Sequence, residues 1–91
     1  MVTTFMHPFI GKGRVTLAIK YNPESGLVEV GVAYASPKDQ FNKKKGRMIA
    51  TNRLERGSDL SFEFQFDEVT FEGMSLPLKS QVSIEFNAFN E

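Results

Sequence analysis

Two runs in the first third of the chain alternate apolar and polar residues. Every second residue from Val15 to Ile19, and again from Val28 to Val32, is a branched aliphatic residue. A period of two residues is typical of a strand with one face in the core. The YNPESG segment between the runs contains Asn-Pro and Ser-Gly, which mark turns. We therefore expect a β-hairpin, with a further short strand over residues 2–6.

The next segment has the start and stop signals of a helix. Ser36 suits the N-cap, where its hydroxyl accepts from an unpaired N–H. Pro37 suits the first turn, where its missing N–H has no cost. Gly57 suits a left-handed stop after the last turn. These signals predict a helix over about residues 37–55.

The predicted helix has a short apolar stripe and a broad basic side. At about 100° per residue, Phe41, Met48 and Ile49 fall on the apolar stripe. The opposite side is formed by Lys43, Arg47, Ala50 and Leu54. Gly46 inside the helix costs up to about 1 kcal/mol relative to alanine. We expect it to mark a close packing contact or the close approach of a ligand.

The C-terminal third also alternates and predicts further strands. The first of them carries Leu60, Phe62, Phe64 and Phe66. The apolar alternation then changes phase, because it continues with Val69 and Phe71. This shift predicts a bulge or tight turn at Asp67-Glu68. The last predicted strand carries Val82, Ile84, Phe86 and Ala88. The phenylalanines at 62, 64 and 66 suit either a stacking platform for unpaired bases or a core face. We interpret them as core, because so small a chain needs its apolar residues inside.

These elements predict an α+β fold: a curved, mostly antiparallel sheet of about five strands with one central helix, in the order β-β-α-β-β-β. Ninety-one residues make a single domain, residues 1–91. One helix, about 10 Å across, is too narrow for a sheet about 24 Å wide, and it leaves the second face bare. Monomers rarely expose so much apolar surface, so we expect a homodimer.

The zero net charge conceals a strong segregation of charge. Residues 38–56 carry seven basic and two acidic side chains, whereas residues 57–91 carry one basic and seven acidic side chains. A basic helix attracts phosphate backbones whatever their base sequence. The candidate nucleic-acid-binding residues are Lys43, Lys44, Arg47, Arg53, Lys12 and Arg14. The alternatives are a solvated face, or a surface that pairs with the acidic third of a second copy or with another protein.

Few residues suit catalysis or metal binding. The chain has no cysteine, and we interpret its only histidine, His7, as a surface or turn residue before Pro8. One cluster of carboxylates has the oxygen ligands that hard cations prefer: Glu63, Asp67, Glu68 and Glu72. Because Glu63 and Asp67 alternate with the phenylalanines, we interpret the cluster as solvated charge. We expect no enzymatic activity, no cofactor and no metal. Without an apolar run of about 20 residues or a signal peptide, we also expect no membrane association.

The segment ASPKDQFNKKKGRMIATNRL, preceded by the hairpin GKGRVTLAI…VEVGVAYASP, resembles a pattern in small uncharacterised proteins of bacteriophages and mobile elements. The resemblance covers residues 11–54. It implies an accessory protein in the cytoplasm of a bacterial host, serving DNA metabolism or redirecting a host protein. We therefore expect non-catalytic binding of nucleic acid through the basic helix. The alternative is a protein-binding module that modulates a host protein through its sheet face or its acidic strands.

Overall fold

The fold is an antiparallel sheet with one helix on each face. A computed structural model describes residues 2–10, 13–22, 24–35, 42–64 and 76–90. In chain order the elements are β1 (Val2–Met6), β2 (Phe9–Ile10), β3 (Gly13–Asn22), β4 (Leu27–Ala35), α1 (Lys43–Glu55), β5 (Leu60–Glu63) and α2 (Leu76–Phe89). The five strands follow the order β1-β3-β4-β5, and β2 also pairs with β3. The predicted α+β class and antiparallel sheet are confirmed.

The predicted hairpin is formed by β3 and β4. Its register runs from Arg14 opposite Ala35 to Asn22 opposite Leu27. In the turn, Asn22 Oδ1 accepts from the backbone N–H of Glu24 at 3.0 Å. The predicted strand over residues 2–6 is confirmed as β1.

β1 and β2 together line one edge of the sheet. Met6 lies opposite Leu17 and Phe9 lies opposite Arg14, so both strands pair with β3 in one continuous register. Pro8 interrupts the edge because it has no N–H to give to the ladder. This continuity decides which side chains of the edge share a face.

One face of the sheet carries the main core, and α2 covers it. Leu78, Val82 and Phe86 of α2 pack among the buried aliphatic residues of β3 and β4. Their spacing of four places them on one helix face. The predicted final strand is therefore wrong, as is the expectation of a single helix. Val82 and Phe86 satisfy both a strand period and a helix period, and Ile84 between them is 60% exposed.

The phenylalanines around β5 belong to the same core. Phe62 and Phe64 are partly buried and pack against the main cluster, which confirms their interpretation as core residues. Phe66 lies outside the described residues, as do the predicted bulge at Asp67-Glu68 and the strand carrying Val69 and Phe71.

The second face of the sheet is made of small residues, and α1 packs on it. Ala50 and Leu54 of α1 join Ala18 and Ala33 of the sheet in a second cluster. The predicted apolar stripe is wrong at Met48, which is 59% exposed, whereas Ile49 is partly buried and packs against this cluster. Much of the contact is made by small residues, so hydropathy along the helix does not reveal it.

Two glycines permit this close approach. A Cβ on Gly31 of β4 would stand 2.6 Å from the backbone nitrogen of Leu54. A Cβ on Gly46 of α1 would stand 3.2 Å from the Cβ of Thr16. The expected packing contact at Gly46 is thus confirmed, with β3 as the partner.

α1 begins later than predicted. Asn42 has an extended backbone and is the N-cap, and its side chain accepts from the N–H of Lys45 at 3.1 Å. A continuous helix from residue 37 is therefore wrong, because Asn caps a helix as well as Ser does. Ser36 and Pro37 lie outside the described residues. The predicted end at residue 55 is confirmed, and Gly57 has a φ of 130°.

The predicted homodimer rests on a sheet with one bare face. That premise is wrong, because α1 and α2 each cover one face. The homodimer itself stays a prediction. Neither helix of the described residues is long and apolar enough to cross a membrane.

Candidate functional site

Three rings line the edge of the sheet on the face that α1 covers. Because side chains alternate along a strand and the register is continuous across Pro8, Phe5, His7 and Phe9 share this face. We call these three residues the ring stripe. Phe9 is the most exposed large hydrophobic residue of the described part of the chain, at 68%.

His7 is the centre of a small hydrogen-bond network. Its Nε2 accepts from Nε of Arg47 at 3.3 Å, and its Nδ1 lies 3.2 Å from the hydroxyl of Thr16. An imidazole nitrogen that accepts carries no proton, so the neutral ring has its proton on Nδ1 and donates it to Thr16. The backbone carbonyl of His7 accepts from Nε of Arg14 at 3.2 Å.

Two arginines cover the two phenylalanines of the ring stripe. The guanidinium carbon of Arg14 lies 4.4 Å from the ring centroid of Phe9. The guanidinium carbon of Arg47 lies 5.0 Å from the ring centroid of Phe5. Both distances are within the range of a cation–π interaction. The two guanidinium groups therefore flank His7, one at each end of the ring stripe.

This environment lowers the pKa of His7 below its ordinary value of 6.5. Partial burial is the largest cause, followed by the positive charges of Arg47, Lys43 and Arg14. Each of these effects disfavours the protonated imidazole. Beside the effect of burial, three positive charges thus act on the same imidazole. We call His7, Arg14, Lys43 and Arg47 the basic cluster.

The N-terminus of α1 adds to this positive charge. Its first turn contains Lys43, Lys44 and Lys45 and has no acidic residue. The helix dipole already places about half a positive charge at this end, so cations here cost stability rather than add to it. All three lysines are exposed. This end of α1 is therefore suited to an anionic partner.

The structure brings together part of the predicted site. Arg14 of β3 and Arg47 of α1 both donate to His7, and the charge of Lys43 acts on the same residue. Lys44 is exposed beside Lys43. Lys12 lies outside the described residues.

Arg53 lies apart from this group. Its guanidinium donates to the backbone carbonyl of Val32 at 2.6 Å, and Asp59 Oδ2 accepts from the N–H of the same residue at 2.8 Å. β5 pairs with β4 only as far as Val30 opposite Leu60. Arg53 and Asp59 thus provide hydrogen-bond partners for the backbone of β4 beyond the last residue that pairs with β5. Arg53 supports the fold through this hydrogen bond, and its part in binding nucleic acid stays a prediction.

Sequence reasoning missed the ring stripe. His7 was interpreted as a surface or turn residue, but it is partly buried and bonded to residues of β3 and α1. The available signal was the spacing of Phe5, His7 and Phe9 at every second position. That spacing predicts a shared strand face, but it does not identify Thr16 and Arg47 as partners.

No metal site is visible among the described residues. Nowhere in them do three or more His, Cys, Asp or Glu side chains form a group that could hold a metal ion. Of the carboxylate cluster considered above, Glu63 lies on β5 and is exposed. Asp67, Glu68 and Glu72 lie outside the described residues.

No protein family, no curated protein and no solved structure matches this chain.

Proposed function

We propose that this protein binds nucleic acid without catalysis, through phosphate contacts made by Arg14, Lys43, Lys44 and Arg47. The observation that carries the proposal is that Arg14 donates to the backbone carbonyl of His7 and Arg47 to its imidazole, while the charge of Lys43 acts on the same ring. Cations gathered in this way displace the counterions that surround a phosphate backbone, and the released ions drive binding. Contacts of this kind position the protein on the strand without reading the bases.

The energetics of α1 support this proposal. Lysines in the first turn of a helix are unfavourable by about 0.3–1 kcal/mol each at low ionic strength. Asn42 offsets part of this cost by capping the N–H of Lys45. A phosphate bound near Lys43 and Lys44 would reverse the sign of the interaction with the dipole, because helix N-termini favour anions.

The two arginines are also held in place before any ligand arrives. Arg14 is fixed by the ring of Phe9 and the carbonyl of His7. Arg47 is fixed by the ring of Phe5 and the imidazole of His7. A side chain that is already ordered loses less conformational entropy on binding. This supports Arg14 and Arg47 as ligand-binding residues rather than solvated charges.

The biological setting is part of the same proposal. The resemblance over residues 11–54 implies an accessory protein of a phage or mobile element, which acts in the cytoplasm of a bacterial host. Binding without base readout suits a role in DNA metabolism. The alternative stays a host-protein module that binds through its sheet face or its acidic strands, and the sheet-face version has less support because a helix packs on each face. Its other version rests on acidic residues that lie mostly outside the described part of the chain.

Charge reversal at one lysine tests the proposal. Lys43→Glu places a carboxylate in the basic cluster and in the first turn of α1. We expect its affinity for a labelled oligonucleotide to fall about tenfold at ~50 mM salt, because a phosphate contact is replaced by a repulsion. Fluorescence anisotropy measures this change. The same substitution improves the interaction with the helix dipole, so the thermal midpoint should stay level or rise.

Lys79→Glu is the matched control. Lys79 is an exposed lysine in the first turn of α2, which packs on the other face of the sheet. This variant has the same change in net charge and a similar dipole effect, and it should keep the affinity of the unaltered protein. Equal losses of affinity in both variants would show that net charge alone drives binding. Absence of binding by the unaltered protein at low salt would overturn the proposal.

A further inference from the structure

Phe9 combines exposure with a fixed position beside cations. Lone exposed apolar residues are common and need no explanation by themselves. Phe9, however, sits in the ring stripe with Arg14 over its ring, and the carbonyl of His7 holds the same guanidinium. The aromatic ring and the guanidinium are both planar surfaces on which a base can stack.

We propose that the nucleic acid bound here is single-stranded, and that Phe9 stacks on one of its unpaired bases while the arginines and lysines hold the backbone. This inference rests on the proposed function and names its substrate class. Bases in a duplex are stacked on each other inside the helix, so a protruding ring has no base face to meet there. An unpaired base offers its face whatever its identity.

The geometry of the edge supports separate roles for Phe9 and for the cations. Phe5 and Phe9 are four residues apart on the edge strand, which places them about 13 Å apart at ~3.3 Å per residue. Phe5 lies under Arg47 and is partly buried against the α1 cluster. Phe9 lies at the outer end and is mostly exposed. Arg47 and the lysines thus lie toward α1, and the exposed ring lies at the other end of the ring stripe beside Arg14.

The sequence pattern offers other aromatic residues as a stacking platform, namely the phenylalanines around β5. Phe62 and Phe64 pack against the core, so they are not available to a base. Of the other exposed rings in the described residues, Tyr34 lies on the opposite face of the sheet and donates to Asn90. Phe89 belongs to α2, which also packs on that opposite face.

A set of three probes separates stacking from phosphate binding. The first is a labelled oligothymidylate of about 20 nucleotides, the second is an abasic strand with the same number of phosphates, and the third is a duplex of equal length. We expect the protein to bind the oligothymidylate about tenfold more tightly than the abasic strand, from one stacked base. The single-stranded oligothymidylate should also bind more tightly than the duplex.

Substitutions at Phe9 locate the preference. Phe9→Ala should bind the oligothymidylate and the abasic strand equally. Its affinity for the abasic strand should fall less than its affinity for the oligothymidylate, because Arg14 loses the ring of Phe9 but keeps the carbonyl of His7. Phe9→Tyr keeps a ring and should keep the preference. Phe89→Ala removes an exposed ring from α2, 45% exposed in the structure, and should change nothing. Replacing the oligothymidylate with oligouridylate distinguishes DNA from RNA without altering the inference.

A fluorescence experiment observes the stacked ring directly. The chain contains no tryptophan, so Phe9→Trp would provide a single tryptophan, excited selectively, at the proposed site. Its emission should be quenched by the oligothymidylate and not by the duplex or the abasic strand. Phe89→Trp should not respond to any of the three probes.

The outcomes of these experiments are distinct. Equal affinity of the unaltered protein for the oligothymidylate and the abasic strand would overturn the inference while leaving phosphate binding intact. An unchanged preference in Phe9→Ala would overturn it as well, because the preference would then arise elsewhere. Failure of all three probes to bind would overturn the proposed function itself.

Discussion

Arg47 donates a hydrogen bond from its Nε to Nε2 of His7 at 3.3 Å, although 40 residues separate the two along the chain. The bond joins α1 to the edge of the sheet at the point where Pro8 interrupts the strand pairing. It requires an imidazole nitrogen without a proton, so the bond and the protonation of His7 exclude each other. The charge of His7 thus reports on the whole basic cluster.

The first prediction concerns the pKa of His7. The pKa is lowered by burial first and by Arg47, Lys43 and Arg14 after it. Arg47→Met removes one of these charges and should raise the pKa, which should remain below 6.5 because the remaining causes persist. Proton NMR follows this directly, since His7 is the only histidine. Arg53→Met is the matched control and should not shift the titration. An equal shift in both variants would contradict the assigned environment.

The second prediction is the effect of the same group on folding stability. The folded pKa is below the unfolded value of 6.5, so the unfolded chain binds more protons as the pH falls. The contribution of His7 to stability is therefore complete above pH 6.5 and is lost as the pH falls through the folded pKa. The urea midpoint should fall more between pH ~7.5 and ~5 in the unaltered protein than in His7→Gln. Parallel curves would refute this linkage.

The third prediction concerns the contact between α1 and the sheet. A Cβ on Gly31 would collide with the backbone of α1 at Ala50 and Leu54. Backbone atoms cannot move aside singly, so Gly31→Ala should cost about 3 kcal/mol of unfolding free energy. Gly46→Ala meets the side chain of Thr16 instead, and alanine is the better helix former by about 1 kcal/mol. It should therefore cost less. Urea denaturation of both variants measures the difference, and a smaller cost for Gly31→Ala would contradict the close approach.

These glycines show why only part of the fold is readable from the sequence. The β3–β4 hairpin is predictable because its aliphatic residues are large and alternate strictly with other residues. The packed side of α1 is not, because Gly46 and Ala50 contribute contact without hydrophobic bulk. The last element was misassigned because Val82 and Phe86 fit both periods, and short apolar runs remain ambiguous between strand and helix.

The candidate site, like the fold, is predictable from the sequence only in part. The basic character of Lys43 and Arg47 is visible in the sequence, since charge needs no partner to be recognised. The convergence of these residues with Arg14 on His7 is not visible, because it depends on the pairing of β1 and β2 with β3. Arg53 shows the converse, since its positive charge suggested a phosphate contact and the structure places it on the carbonyl of Val32.

The fourth prediction separates the two arginines of α1. Arg53→Met leaves the carbonyl of Val32 without this donor and should cost about 1–2 kcal/mol of unfolding free energy. It should leave nucleic-acid affinity nearly unchanged. Arg47→Met should lower the affinity severalfold at ~50 mM salt. Thermal unfolding and fluorescence anisotropy on both variants give the comparison. If Arg53→Met weakens binding as much as Arg47→Met, Arg53 belongs to the interface after all.

The central claim is that this protein holds a phosphate backbone with a few clustered cations, and the salt dependence of its affinity tests that claim most directly. The dissociation constant for a labelled single strand should be measured by anisotropy from ~50 to ~200 mM salt. Four contacts, from Arg14, Lys43, Lys44 and Arg47, predict that the logarithm of the association constant falls against the logarithm of the salt concentration with a slope of about −3. Arg47→Met should make the slope shallower by about one. An affinity independent of salt, or no binding at the lowest salt, would contradict the account.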